Sequence, residues 1–313
     1  MRTTRPLVRA RAMAHSRIRM STSRLIPVFA AALSSTLGGS SAVAIRFVID
    51  ASDPISIAFL RCGGAGIAMA AIMFAATRAR VLRRDLAPVA ALGVLMFGGF
   101  GYLFSAGLAY VPAARGALVV AAMPIFVLVL ATAMGRERMT FAKAAGAALG
   151  FAGVFVALGE RASAGPEAWR GDLLLVGAAL VGSIHAVLSG PYLQRNAALP
   201  VTVVQLLAGS VALVAVLFVR DDPMAGLVHF APDQWFAVFW IMFVGGMASF
   251  YMWFWALERV PASAVALTIS FNPVAAAAGG ALLLGEAVTL NLLLGFVAIA
   301  AGLAVATRAR ASA

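Results

Sequence analysis

The sequence predicts an all-α polytopic membrane protein whose ten transmembrane helices form two inverted five-helix repeats. Three observations predict it. Of the 313 residues, 63% are hydrophobic and 12% charged, where soluble domains are roughly half apolar and about a quarter charged. Apolar segments repeatedly reach the roughly 20 residues that span a bilayer. Shifted by 149 residues, the chain also lies over itself without a gap from Tyr102 to Ala157, with fifteen identities that include Tyr102/Tyr251, Pro112/Pro261, Pro124/Pro273, Glu137/Glu286, Gly146/Gly295 and Gly153/Gly302. A membrane repeat with an odd number of spans enters its second half upside down, and inverted repeats are an architecture of alternating-access transporters.

The first repeat occupies residues 25–158, after a basic tail, 1–24, expected to be cytoplasmic and disordered. Its spans are 25–48, 54–77, 87–109, 113–134 and 140–158. The acidic stretch GERASAGPEAWRGD, 159–172, is the natural boundary between halves. The second repeat, 173–307, supplies spans 173–193, 201–219, 235–257, 262–284 and 288–307, before a short cytoplasmic tail, 308–313. The short links around Pro112 and Pro261 predict tight antiparallel hairpins. Ala42-Val43-Ala44 imitates a signal-peptide cleavage site, but cleavage there would leave nine spans and unpair the halves, so the first helix is read as retained.

Charge tests the topology independently, because cytoplasmic loops collect Lys and Arg. With the N-terminus inside, inner segments hold 18 basic residues and outer ones five, whereas acidic residues number three inside and nine outside. Both termini are therefore expected in the cytoplasm, in a multi-pass protein of the plasma (cell inner) membrane. The net charge of +12 follows from this topology and the Arg-rich tail, so no nucleic-acid partner is assigned. Cys62 is the only cysteine, which excludes an intrachain disulfide, and its place inside a span suits packing.

No HExxH, GxSxG, P-loop or CxxC occurs, and the three histidines lack metal-ligand spacing. Nothing nominates an enzyme, a cofactor or a metal. What remains is a set of polar groups in apolar spans, which are costly in lipid and face the protein interior or a wet cavity. Arg61 lies seven residues beyond Pro54, about 10 Å down its helix. It suits a substrate carboxylate; an ion pair with Asp50 or Asp53, or snorkelling to the headgroups, competes. His185, in mid-span, suits either a ligand contact or a satisfied interior hydrogen bond. Tyr102, Tyr251 and Trp253 suit an aromatic cavity wall, with an interfacial belt as the competing reading. Gln205, Ser270 and Asn272 complete the expected polar lining. No span has a central carboxylate, which argues against the buried-acid expulsion of organic cations.

Pro124 and Pro273 fall near the bilayer midplane at matching positions, where proline removes a backbone hydrogen bond and opens the helix. A single one reads as a packing kink; the matched pair reads as two hinges at a central site. Glu137 and Glu286 match at helix ends on opposite sides, which suits capping or local charge pairing. Gly146 with Gly150, the pair Gly245-Gly246 and the pair Gly279-Gly280 suit close helix contacts.

The segment FNPVAAAAGGALLLGEAVTLNLLLGFVAIAAGL, Phe271 to Leu303, resembles the signature of EamA-type transporters of the drug/metabolite transporter superfamily; MPIFVLVLATAMGRERMTFAKAAGAALGFAG is its looser first copy. The shared series is Pro, then Gly-Glu, then Thr, then Gly. The resemblance implies two inverted five-helix repeats around a central cavity and export of small metabolites, often amino acids. It places Pro124, Glu137, Pro273 and Glu286 at motif positions and fits Arg61 to an arginine of the second helix. Met123 opposite Asn272, the intervening Arg136, and Leu37-Gly38 depart from the pattern. Secondary transport of small molecules is thus expected, with efflux of hydrophobic drugs as an alternative within transport and a membrane-embedded scaffold or enzyme as one outside it. Oligomeric state is not legible.

Overall fold

The computed structural model describes residues 22–135, 139–159, 165–219, 230–257, 259–260, 265 and 268–308. The described residues form helices: α1 Thr22–Val48, α2 Pro54–Ala76, α3 Arg83–Leu108, α4 Ala113–Ala133, α5 Phe141–Leu158, α6 Ala168–Arg195, α7 Ala198–Leu217, α8 Pro232–Ala256, α9 Phe271–Leu284 and α10 Leu290–Arg308. Eight are long and apolar enough to cross a membrane; α9 and α10 present shorter apolar stretches, Phe271–Leu284 and Leu290–Ala306. In lipid every backbone N–H and C=O must be satisfied within the chain, and the helix does this segment by segment. The basic tail, Glu137 and the link around Pro261 lie outside the described residues.

Local sequence explains where helices begin and stop. Asp53 caps α2, its carboxylate accepting from the N–H groups of Ile55 (3.0 Å) and Ser56 (3.1 Å), with Pro54 in the first turn. Thr140 accepts from Lys143 N at 3.4 Å at the start of α5. Gly135 and Gly285 follow α4 and α9 at φ 68° and 67°, a left-handed conformation that glycine adopts without steric cost.

Two helices begin four or five residues before the expected spans. α3 begins at Arg83 rather than 87, and α6 at Ala168 rather than 173, because their polar first turns are helical without being hydrophobic. Two others carry a feature the apolar pattern does not announce. α3 is π-helical over Val94–Phe100 and α8 over Trp240–Ala248, stretches that overlap when shifted by 149 residues. Such widened turns cluster at functional positions.

Packing joins α2 to α7, α1 to α8 and α9, α6 to α3 and α4, and α4 to α9. α5 packs along α10 in antiparallel fashion. A Cβ on Gly146 would stand 2.5 Å from Gly302 O, and one on Gly153 would stand 2.8 Å from Gly295 O. These backbones touch because nothing larger than hydrogen intervenes. On the α8 side, Gly245 meets Ser41 of α1 while Gly246 meets Ala65 and Arg61 O of α2, so the double glycine lets the π-helical stretch sit between two helices.

Candidate functional site

Turns precede the helical pieces that carry Pro124 and Pro273. α4 is α-helical over Ala113–Ala121 and again over Met123–Ala133, with a turn at Ala122, and Pro124 sits in the first turn of the second piece. In the other half Ile269–Ser270 form a turn before α9, and Pro273 is its third residue. Each break is held from a neighbouring helix. Ser183 of α6 donates to Met123 O (3.3 Å), and Gly182 lies against the Met123 side chain. Asn272 packs on Gly38 and Gly39 of α1, its carbonyl directly facing Gly39.

The expected site residues fall into three groups around these breaks. On α2, Arg61 is 7% exposed. Its guanidinium carbon lies 5.3 Å from the centre of the Phe250 ring, and Phe250 meets Phe97 edge-on at 5.0 Å. The competing ion pairs do not form: Asp50 pairs with Arg46 at 3.5 Å, and Asp53 is the α2 cap. Among the described residues, Arg61 Nε is buried without a hydrogen-bond partner.

Between α6 and α7, His185 Nε2 and Gln205 Oε1 are 3.1 Å apart, both side chains buried. Two expected lining residues thus satisfy each other. The third group joins α1, α8 and the α9 side. Ser34 donates to Ser249 O at 2.7 Å while Ser249 Oγ donates to Ser34 O at 2.9 Å, and Ser35 lies 3.4 Å from Thr268. Ser270 and Asn272 are half-buried beside it. The expected aromatic wall divides: Tyr102 and Tyr251 are 38% and 44% exposed, whereas Trp253 packs, as Val28 does, against the buried cluster of Ala31, Ala256, Val260 and Val265.

Three features were absent from the sequence reading. Phe250 and Phe97 carried no polar signal. The serines of α1 were visible as LSSTLGGSS, residues 33–41, and that run was a usable sign of a polar helix face. Charged ties at the helix ends are the third. Arg115 of α4 grips Asp172 of α6 through Nε (2.8 Å) and Nη2 (2.6 Å) and also donates to Leu158 O of α5 (2.8 Å). At the opposite ends of the helices, buried Asp85 accepts from Arg195 (3.0 Å) and Asn196 (2.9 Å), whose amide oxygen takes Leu82 N at 2.8 Å.

Glu286 does more than a local cap. Its carboxylate accepts from Ala113 N at 3.1 and 3.0 Å, so the segment after α9 holds the start of α4, 173 residues away. Burial pushes this carboxyl above its ordinary value, while the backbone N–H groups and Arg46 oppose the shift. The folded protein then binds a proton more tightly than the unfolded chain, so stability falls as pH rises from the ordinary value through the raised one. Glu286→Gln is expected to flatten this dependence and to cost about 1 kcal/mol at neutral pH, the usual worth of a lost cap. Thermal unfolding across pH measures both, and an unaltered pH profile would refute the assignment.

Among the described residues, no group of three His, Cys, Asp or Glu is placed to hold a metal ion. The same residues present a cation against an aromatic ring, paired hydroxyls and turns beside Pro124 and Pro273.

Comparisons with known proteins agree with that chemistry. The model of the EamA-like transporter family matches residues 25–159 and again 169–308. A probable terminal-alkyne amino-acid exporter of Streptantibioticus cattleyicolor is 27% identical over 83% of this chain and 86% of its own. An aromatic amino acid exporter, YddG, of Ancylobacter novellus is 28% identical over 63% of this chain and 67% of its own, and an uncharacterized transporter of Archaeoglobus fulgidus is 26% identical over 89% and 98%. A chain of known crystal structure superposes with a TM-score of 0.65 at 24% identity, covering 93% of this chain and 98% of that one; at this identity the likeness speaks for the fold.

Proposed function

The chain belongs to the EamA-like transporter family, and from that premise we propose that it is a secondary transporter exporting small metabolites, amino acids among them, by alternating access. The observation that carries this reading is the pair of breaks, at Ala122 and at Ile269–Ser270, which fall within two residues of each other under the 149-residue shift and stand beside the equivalent prolines Pro124 and Pro273. An interrupted helix in each half, beside Pro124 and Pro273, supplies two hinges around one centre.

The α5–α10 contact supports the inverted arrangement. Gly146 meets Gly302, and Gly153 meets Gly295; shifting either pair by 149 residues exchanges it for the other. Such reciprocity is what a two-fold axis produces. Because the two equivalent helices run antiparallel, that axis lies in the membrane plane. Two successive matches to one family model agree with the same organisation.

With both termini in the cytoplasm, Glu286 and the Arg115–Asp172 pair tie helix ends on the outer side, and the Asp85–Arg195–Asn196 cluster ties ends on the inner side. Exchange between states loosens one set of ties while the glycine contacts slide. Arg61, the His185–Gln205 pair, Asn272, Ser270, Tyr102, Tyr251 and Trp253 are the groups proposed to meet solute. The two relatives described as amino-acid exporters support the substrate class.

Counterflow in proteoliposomes tests this function. Vesicles loaded with pooled unlabelled amino acids and related carboxylates are expected to accumulate a labelled member saturably, and empty liposomes not. Absence of exchange for every metabolite class would remove the metabolite reading, and protection against hydrophobic toxicants alone would replace it with drug efflux.

A further inference from the structure

Resting on that transport reading, we infer that the solute is a carboxylate monoanion, held by Arg61 against the Phe250 ring and exported with its negative charge uncompensated.

Arg61 is a cation inside the membrane-spanning part of α2, 7% exposed as a whole residue, with its Nε fully buried. Its contact with Phe250 offsets only part of the cost of holding an ion away from water. The balance is unfavourable, and Nε still lacks an acceptor among the described residues. An anion that accepts from Nε and neutralises the guanidinium reverses it. The described residues supply none nearby. No Asp or Glu occurs at residues 54–84, 86–136, 173–220 or 234–257, which exhausts the spans packed around α2. Asp50, Asp53, Asp85, Asp172 and Glu286 are each engaged at a helix end.

The same accounting selects among anions. A zwitterion brings an ammonium group along with its carboxylate, and that group would meet only neutral acceptors; Gln205 is already engaged with His185. A phosphate monoester carries close to two negative charges at neutral pH and would leave one unmatched beside a single guanidinium. A monocarboxylate matches it one to one, with the planar fork geometry arginine offers to carboxylates. Phe250, edge-on to Phe97, gives the rest of such a solute an apolar aromatic surface.

The charge assignment has an energetic consequence. Arg61 travels with the carrier on both the loaded and the empty leg, so the net charge moved per cycle is that of the solute. An inside-negative membrane potential then drives export without a coupling ion, sustaining a gradient of roughly 50-fold per 100 mV.

The test uses purified protein in proteoliposomes and two pools matched in carbon skeleton. One holds lactate, 2-hydroxyisocaproate and 3-phenyllactate; the other holds alanine, leucine and phenylalanine. Valinomycin with a potassium gradient sets the potential. Exchange of the hydroxy acids, with efflux accelerated when the interior is negative and slowed when it is positive, is expected for the unaltered protein. Arg61→Gln is expected to lose at least 10-fold in this flux, with Arg61→Lys recovering part of it. Saturable exchange confined to the amino acids, or hydroxy-acid efflux indifferent to the potential, overturns the inference while leaving transport intact. No exchange of either pool overturns the inference too, and with no exchange of any other metabolite class the transport reading falls as well.

Discussion

Asp172→Ala is expected to destabilise the protein by about 3–5 kcal/mol, the usual cost of leaving one member of a buried ion pair alone. The Arg115 and Asp172 side chains are 7% and 14% exposed and lie 2.6 Å apart. Without the carboxylate, the guanidinium retains the Leu158 carbonyl but loses its counter-charge, at a junction of α4, α5 and α6. Set against a total stability of about 5–15 kcal/mol, the loss is large enough to deplete folded protein. Replacing both partners, Arg115→Met with Asp172→Leu, removes the stranded charge and is expected to recover most of the loss. Thermal unfolding of the detergent-purified variants reads both effects. A single variant within about 1 kcal/mol of the parent would mean that water reaches this pair.

Gly39→Val is expected to be nearly as damaging, at about 3 kcal/mol, the upper part of the usual range for overpacking. A Cβ there collides with the carbonyl oxygen of Asn272 and stands 2.9 Å from Ala275 Cβ and 3.1 Å from Ala276 N. Two of these three atoms are backbone, so no rotamer change relieves the clash and α1 must separate from α9. The neighbouring Gly38→Ala is the contrast: its Cβ meets the end of the Asn272 side chain, 2.9 Å from Nδ2, which can swing aside. Monodisperse yield after size-exclusion chromatography is expected to collapse for Gly39→Val and to hold for Gly38→Ala. Equal behaviour of the two would show that α1 and α9 do not cross this closely.

What the sequence revealed, and what it withheld, follows from the kind of interaction involved. The all-helical membrane architecture was legible because a bilayer imposes length and apolarity on every span. The breaks near residues 122 and 270 were legible because proline cannot donate the missing hydrogen bond. The glycine contact of α5 with α10 was half legible: GxxxG marked a close surface, but only coordinates pair Gly146 with Gly302. The π-helical stretches left no trace in composition, since one extra residue in a turn changes no residue type. Glu286 was read as a local device because the motif supplies its own helix end; that it serves α4 depends on a fold bringing residues 113 and 286 together. Arg61 illustrates the reverse. Its depth was readable, and Asp50 and Asp53 were plausible partners by spacing alone, until Arg46 and the α2 cap were found to occupy them. Phe250 was hidden among the many aromatic residues of α8, where nothing in the sequence separates a ring over a guanidinium from one in lipid.

The single sulfhydryl of this chain, Cys62, is shut inside the packing, with Sγ 3.4 Å from Phe97 O. Thiol-directed labels therefore find almost no native reaction. A reporter pair placed at the Ala113 end of α4 and the Leu290 end of α10, and another at the Arg83 end of α3 and the Arg195 end of α6, can be installed without first deleting anything. Any separation of these helix ends becomes a spectroscopic distance, read in the native sequence background and in a lipid bilayer.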